Sequence, residues 1–373
     1  MKAVIIGAGA SGVACAIRIK QNMPDAEVII LEHLDEACKK LHATGNGRCN
    51  LTNRNASGFE TTKSFFESIG LIIRESGEGR MYPYSNQASG VVEILLEACN
   101  NYGIKIVYGC KVTTINKAGE TYGIYSNKGQ FYADAVILAT GGTAQSPLGS
   151  DGSGYILAES LGHSITELSP ALVQLKSSSK HCRALKGIRV KCKVSIEING
   201  EFAGDDFGEL LFTDYGLSGI VVMNLSEFVN DNALKNGSEK CVAVIDLVPD
   251  LSEAELTAHY RKHNSLIGIL PKKLCSILSK QAEGNEELIA KYAKNWRIIV
   301  TGTKGYSFAQ ITKGGVSLDE LTQYNESKIS NELYIIGELT DNQFKCGGFN
   351  LDYAFSSGVR CADHITETYD KNY

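Results

Sequence analysis

Four apolar residues in a row, Ala3-Val4-Ile5-Ile6, run into Gly7-Ala8-Gly9-Ala10-Ser11-Gly12, and helix-like spacing follows from Val13 to Gln21. A second unbroken apolar run, Val28-Ile29-Ile30-Leu31, ends on Glu32. Such runs predict buried strands, and the stretch between them predicts a helix. Strand, glycine turn, helix, strand and acid, with the acid 20 residues beyond Gly12, is the order of a dinucleotide-binding unit. In that reading Gly7 permits the tight turn, Gly9 lets a pyrophosphate approach the backbone, and Gly12 allows the helix to contact the strand. The first helical amides, at Ala10 and Ser11, face the phosphates with the positive end of the helix dipole. Glu32 is placed to accept hydrogen bonds from ribose hydroxyls.

Downstream, Leu34 to Leu41 is charged and helix-prone, and Thr44-Gly45-Asn46-Gly47-Arg48-Cys49-Asn50-Leu51-Thr52-Asn53 is a polar loop. Helical spacing returns over 60–75 and 88–101. Strands are predicted at Lys105 to Tyr108 and Lys111 to Ile115, and a hairpin over 121–132 turns through Asn127-Lys128-Gly129. Ala135-Val136-Ile137-Leu138-Ala139-Thr140-Gly141-Gly142 reads as a buried strand entering a glycine turn. From about 165 alternation replaces unbroken runs: Val190 to Ile198, the Asn199-Gly200 turn and Leu210 to Thr213 predict an antiparallel sheet. Residues 252–295 are helix-compatible, with Pro271 as a break or helix start. Strand character reappears near Ile298 to Val300 and Ala309 to Thr312. Leu333 to Glu338 is a buried-strand pattern, and Phe349 to His364 a closing helix. The pattern predicts a nucleotide-binding α/β domain, split by a long insertion and closed by the last segment.

Composition narrows the setting. A chain of 373 residues exceeds one compact core and predicts two or three domains. A net charge of -5 argues against a general electrostatic grip on nucleic acid or anionic membrane. The first strand begins at residue 3, which leaves no room for a signal peptide, and no apolar run reaches the ~20 residues of a membrane span. The eleven cysteines include no CxxC, so metal ligation has no local support, and their odd number without an export signal predicts reduced thiols in a cytoplasm.

Either NAD or FAD could use the opening unit; distant stretches decide for FAD. The strand Ile137-Leu138-Ala139 ends in Thr140-Gly141-Gly142, where it would cross near the first glycine turn. A late strand, Ile335-Ile336, ends in Gly337-Glu338, whose acid could bond ribityl hydroxyls or a phosphate-bridging water. Gly347-Gly348-Phe349-Asn350-Leu351 suits close backbone approach to a flat ring, with helix amides aimed at its edge.

These features resemble the glutathione-reductase-type FAD fold. More narrowly, Thr44 to Asn53, Leu211 to Gly219, Lys313-Gly314-Gly315-Val316 and Gly347 to Leu351 with Ala354-Phe355-Ser356-Ser357-Gly358 resemble the BaiN/YhiN family of flavoproteins, also described as the aminoacetone-oxidase family. The similarity spans essentially the whole chain. It implies an FAD-dependent oxidoreductase of α/β class. The implied fold is a discontinuous Rossmann-like FAD-binding domain (1–165 and 313–373), an inserted antiparallel barrel-like domain (166–250 and 298–312) and a small helical domain (251–297). It does not fix a substrate, since members are linked to amine oxidation and to reduction of steroid enones.

The resemblance also implies FAD contacts. They comprise the Gly7, Gly9, Ala10, Ser11 and Gly12 turn, Glu32 with its neighbour His33, Lys40, and Gly45, Asn46, Gly47, Arg48, Cys49 and Asn50. Val112 would pair its backbone with the adenine edge, and Ala139, Thr140, Gly141, Gly337, Glu338, Gly348, Asn350 and Leu351 complete the set. Cys346 stands where the family more often has Thr, and Asn342-Gln343-Phe344-Lys345 departs from its Gly-containing loop.

Alternatives accompany several of these residues. Arg48 is read as a cofactor donor rather than a loop arginine paired with a surface acid. Cys49 is read as a structural thiol, because no second cysteine follows within 49 residues. Asp151-Gly152-Ser153-Gly154 is either a phosphate or ribose contact or a helix cap. Tyr82-Pro83-Tyr84 reads as a packed loop with cavity lining as its rival, and Thr213 to Gly219 is a candidate on the substrate side. No catalytic acid, base or metal site stands out. Function divides between an FAD-dependent oxidoreductase acting on a small organic substrate, with NAD(P)H as a transient partner, and an FAD-binding redox sensor or partner-binding protein without dedicated turnover. An RNA-modifying flavoenzyme is disfavoured by the acidic balance, and oligomeric state is not encoded legibly.

Overall fold

The computed structural model describes residues 1–372. It divides into two compact units, one formed by Met1–Leu168 with the chain from Ile311 onward, the other by Ser169–Gln310.

The first unit is built on a five-stranded parallel sheet. Its strands are β1 (Lys2–Ile6), β2 (Glu27–Leu31), β3 (Lys105–Val107), β4 (Ala135–Leu138) and β5 (Leu333–Ile335), in the order β5-β4-β1-β2-β3. All four pairings are parallel. Both faces are covered, which is why the strands read as unbroken apolar runs. Ile5, Ile30 and Ile137 enter one hydrophobic core, whereas Val4, Leu31 and Val136 enter another on the opposite face. The first core holds α1 (Ala10–Asn22) and the closing helix α2 (Phe349–Asn372). These helices touch closely because Gly358 lacks a Cβ, which would lie 2.3 Å from the Ser11 carbonyl oxygen. The second core is roofed by the antiparallel strands Val112–Ala118, Thr121–Ser126 and Gly129–Ala133, and the hairpin turns at Asn127 and Lys128 as its sequence predicts.

Two stretches depart from their expected form. Helix-prone Leu34 to Leu41 gives only a short helix, Lys39–Ala43. Cys38 adopts a left-handed φ of 57° and donates its amide to the Ala8 carbonyl at 2.8 Å, so a helix cannot run through it. The helical spacing over 60–75 yields Phe59–Ser68 and then a strand, Ile73–Glu75, which pairs with Arg80–Pro83. Tyr82 is therefore a buried strand residue, while Tyr84 beyond the strand is exposed.

The second unit holds a seven-stranded sheet whose long hairpin, Arg189–Ile198 with Glu201–Phe212, turns at Asn199 and Gly200. Both turn residues have positive φ, as a tight primed turn requires. The edge strands, Trp296–Val300 and Gly302–Thr303, are consecutive in the chain. Residues 252–295 form three helices, Glu253–His263, Lys272–Gln281 and Glu286–Lys294, and Pro271 sits at the N-cap of the second. Leu256, Leu274, Leu278 and Ile289 from these helices share one core with Phe212 and Trp296 of the sheet.

Among the described residues, no helix is long and apolar enough to cross a membrane. All eleven cysteines are free thiols, and nine of them are buried.

Candidate nucleotide and flavin site

The first glycine turn sits at the C-terminal ends of β1 and β4. Gly7 has φ 107°, and a Cβ there would lie 2.4 Å from the Ala139 carbonyl oxygen. A Cβ on Gly12 would lie 2.1 Å from the Gly7 carbonyl oxygen. Gly9 differs: nothing lies within 4 Å of its missing side chain, and as N-cap of α1 it provides no side-chain acceptor. The open space lies at the positive end of the helix, with no acidic residue in its first turn. Gly337, φ 68°, packs against the same turn, since a Cβ there would lie 2.5 Å from Ser11 Oγ. Its amide donates to Ser357 Oγ at 3.1 Å.

Glu32 is buried at the end of β2. Its Oε2 accepts from the Ala8 amide at 2.8 Å, and its Oε1 accepts from the Leu34 amide at 2.8 Å and lies 3.2 Å from His33 Nδ1. Burial pushes this carboxyl up, but the hydrogen bonds from His33, Leu34 and Ala8 outweigh it and hold the group below its ordinary value. The hydrogen bond to Glu32 raises the His33 imidazole in turn. Each carboxylate oxygen accepts about two hydrogen bonds, so Oε2 retains a lone pair for a hydroxyl donor. The Cys110 amide donates to the Glu32 carbonyl at 2.8 Å, which carries the start of the Val112 strand past the acid.

Lys40 and Glu338 meet each other. Lys40 Nζ lies 2.9 Å from Glu338 Oε2 and 3.5 Å from Ser150 Oγ, while Glu338 Oε1 accepts from the Thr312 amide at 3.0 Å. Thr312 Oγ1 accepts from the amides of Thr143 and Ala144 at 2.8 and 3.0 Å, fixing the turn after Thr140-Gly141-Gly142. Asp151 Oδ1 accepts from the Ser153 amide at 3.0 Å in an Asx turn, and Gly152 rather than Asp151 is the N-cap of the helix that follows.

The polar loop 44–53 meets the start of α2. Gly45 and Asn46 are left-handed. Asn53 Nδ2 donates to the Gly347 carbonyl at 3.0 Å, and Thr52 Oγ1 donates to Asp352 Oδ1 at 2.6 Å. The Gly58 amide donates to Asp352 Oδ2 at 3.0 Å. A Cβ on Gly348 would lie 2.5 Å from the Thr52 carbonyl oxygen, so only glycine allows this approach. The Asn350 side chain closes its own loop, with Oδ1 accepting from the Phe344 amide at 2.9 Å and Nδ2 donating to the Phe344 carbonyl at 2.7 Å. It is backbone at Asn350 and Leu351 that stays available at the helix start. Among the described residues Arg48 pairs with no acid; its guanidinium lies 4.7 Å above the Tyr82 ring, and the side chain is exposed. Cys49 is fully buried, with its thiol pushed up to about 11, as befits packing rather than nucleophilic chemistry.

Asn50 Oδ1 and Thr140 Oγ1 are buried without a hydrogen-bond partner. Orphaned polar atoms of this kind cost about 1–3 kcal/mol each unless something binds them. Both lie in the stretches expected to hold FAD, and an acceptor at Asn50 with a hydroxyl at Thr140 fits a dinucleotide with a polar ring. Sequence reasoning missed Asp352, Thr312, Thr52 and Asn53 as the residues that tie these stretches together. An acid in the first turn of the closing helix was the one available signal. Thr213 to Gly219 lies in the second unit as a sheet turn: Thr213 Oγ1 donates to the Gly216 carbonyl at 2.9 Å, and Gly219 packs on the Glu209 carbonyl.

Comparison with known proteins agrees with this geometry. The chain matches the family described as HI0933-like protein Rossmann domain over residues 58–364. It is 35% identical to the 3-dehydro-bile acid delta(4,6)-reductase of Clostridium scindens, with 95% of this chain and 96% of that protein aligned. It is 27% identical to the ribosomal RNA dihydrouridine synthase of Haemophilus influenzae, with 97% and 98% aligned. Among solved structures, 3-ketosteroid delta1-dehydrogenase from Sterolibacterium denitrificans shares the fold with a TM-score of 0.56 and 11% identity, covering 98% of this chain and 99% of that one. Fold and site thus define an enzyme of the flavoprotein oxidoreductase class. Within it, the chain belongs to the HI0933-like Rossmann-domain family.

Proposed function

We propose that this protein is an FAD-dependent reductase that saturates an electron-poor carbon–carbon double bond in a small cyclic ketone, with NAD(P)H as transient electron donor. The observation that carries the cofactor is the meeting of loop 44–53 with residues 347–352 beside the orphaned Asn50 Oδ1, in the same unit as the glycine turn. The reaction class rests on the relatives: delta(4,6)-reductase and dihydrouridine synthase both name the saturation of a double bond.

In this reading the amides of Ala10 and Ser11 hold the pyrophosphate, Glu32 Oε2 accepts from the ribose, and the Val112 backbone meets the adenine edge. Thr140, Gly141 and the Lys40–Glu338 pair line the middle of the cofactor. Asn50 and the backbone at Asn350 and Leu351 hold the ring edge. When bound, FAD supplies the two-electron chemistry. The chain's part is to orient, to exclude water and to place the positive end of α2 at the ring. We read 166–250 with 298–312 as a barrel-like insertion, a reading supported by edge strands that are consecutive in the chain, and 251–297 as a small helical domain packed on it. A cytoplasmic, reducing setting accords with eleven free thiols.

A second reading, reduction of a uridine in ribosomal RNA, draws on the 27% identical relatives. The basic segment 186–193 gives it little support, because three of its four cations, Lys186, Arg189 and Lys193, are paired with Asp214, Glu209 and Asp205 respectively. The test is anaerobic mixing of the yellow holoprotein with NADH or NADPH, followed by a 3-keto-Δ4 steroid. Bleaching by the nucleotide and recovery of colour on adding the enone support the proposal. Failure of every nicotinamide to bleach it on a catalytic timescale would sink the reductase reading.

A further inference from the structure

An open surface cleft of about 300 Å³ lies in the first unit, bounded by the 318–325 turn, Asn342 and the side of α2 that carries Tyr353 and Arg360. Among the described residues Arg360 is the one cation lining it, and no carboxylate does. Of the nearby acids, Glu320 pairs with His163, Glu326 with His364 and Asp363 with Arg18. Asp352, whose carboxyl burial raises and the Arg360 charge helps to lower, accepts from Thr52 and Gly58, and Asp319 and Asp341 flank the lining without entering it. Among the described residues the Arg360 guanidinium has no ion-pair or hydrogen-bond partner, although a half-buried arginine beside a cleft calls for one.

Two further groups in the lining can donate, whereas Asn325 spends its amide on the Ile335 carbonyl and the Tyr353 hydroxyl. Thr322 Oγ1 accepts from the amides of Tyr324 and Glu326 at 3.3 and 3.2 Å, which leaves its hydroxyl hydrogen unused. The half-buried Asn342 side-chain amide has no partner among the described residues, and the exposed Gln323 lies at the rim. Tyr353, by contrast, is fixed: its hydroxyl accepts from Asn325 Nδ2 at 3.2 Å, and it lies 3.0 Å from Thr340 Oγ1. Thr340 already donates to the Gly337 carbonyl at 2.9 Å, so Tyr353 is the donor to Thr340. It forms a rigid wall. Leu318 and Leu321 provide the apolar part of the lining.

We propose that this cleft binds a small organic carboxylate, distinct from the substrate and cofactor of the proposed reaction. Its carboxylate takes the two-pronged hydrogen bond of Arg360, the pairing a guanidinium favours. Asn342 and Thr322 donate to the remaining lone pairs, and a short hydrocarbon body lies on Leu318 and Leu321.

The test is calorimetric titration of the holoprotein with pentanoate, with 1-pentanol and inorganic phosphate titrated separately. Saturable binding of pentanoate at about 1 mM or tighter, at least tenfold weaker in Arg360→Gln and with no binding of 1-pentanol, supports the proposal. Leu318, which is 43% exposed and so tolerant of change, gives a second variant: Leu318→Glu places a like charge beside the ligand and is expected to weaken binding at least tenfold with the fold intact. Absence of saturable binding, affinity unchanged in both variants, or phosphate binding as tightly as pentanoate overturns it. None of these outcomes depends on the enone reaction.

Discussion

Replacing Asp352 by alanine should loosen the cofactor and the fold together. The side chain is 2% exposed and accepts from Thr52 Oγ1 at 2.6 Å and from the Gly58 amide at 3.0 Å. Truncation leaves the buried Gly58 amide without an acceptor and Thr52 Oγ1 with only a long contact of 3.4 Å to the Asn53 carbonyl; at about 1–3 kcal/mol each, the expected loss is about 2–6 kcal/mol. That is a large share of the ~5–15 kcal/mol by which a domain is stable. At ~2–4 °C per kcal/mol for a domain of this size, the melting temperature should fall by at least about 4 °C. Asp352→Asn discriminates the cause. Its amide oxygen still accepts from Thr52, but its NH2 faces the Gly58 amide donor to donor, so about half the loss should remain. Because Asp352 joins loop 44–53 to the closing helix, FAD affinity should fall in both variants. The assay is thermal unfolding of holo and apo protein, with FAD released on dilution followed by fluorescence. A melting temperature within 1 °C of the parent and unchanged FAD retention in Asp352→Ala would refute the stapling role.

Other expectations follow from the same geometry. Gly9→Asp should yield a folded but colourless protein, because nothing lies within 4 Å of that Cβ while a carboxylate would repel the phosphates; circular dichroism and the visible spectrum check it. Gly7→Ala, with φ 107° and a Cβ 2.4 Å from the Ala139 carbonyl oxygen, should instead destabilise the fold itself, measurable by urea unfolding. Glu32 raises the His33 pKa above 6.5, so its contribution to apo-protein stability is full below that pH and is lost as pH rises through the raised value; His33→Gln should flatten this part of a stability-versus-pH profile. Lys40 and Glu338, each about a quarter exposed, should show a coupling of about 1 kcal/mol or less in a double-mutant cycle on apo-protein stability.

The elements written into consecutive residues were legible. The opening strand–turn–helix–strand announces itself because a tight turn, a close helix contact and two buried strands each demand particular residues within about thirty positions. The hairpins at Asn127 to Gly129 and Asn199-Gly200 are equally local, since Gly129, Asn199 and Gly200 take the positive φ that Asn and Gly favour. What escaped depends on partners far away in sequence. Thr52 and Asp352 are 300 positions apart, and nothing in either neighbourhood marks them as a pair. Lys40 and Glu338 were both expected beside the cofactor, but their ion pair, 298 positions apart, comes from the crossing of elements rather than from a motif. The stretch Leu34 to Leu41 has helical composition, yet the Ala8 carbonyl captures the Cys38 amide and overrides it. Three-residue strands such as Ile73–Glu75 carry too little periodicity to be told from the end of a helix.

The most direct test of the central claim is the cofactor content of the purified chain: denature it, identify the released chromophore, and set its amount against protein. The account predicts FAD approaching one per chain, retained on gel filtration and lost in Gly9→Asp. A folded protein that carries no FAD and takes none up on incubation would contradict it.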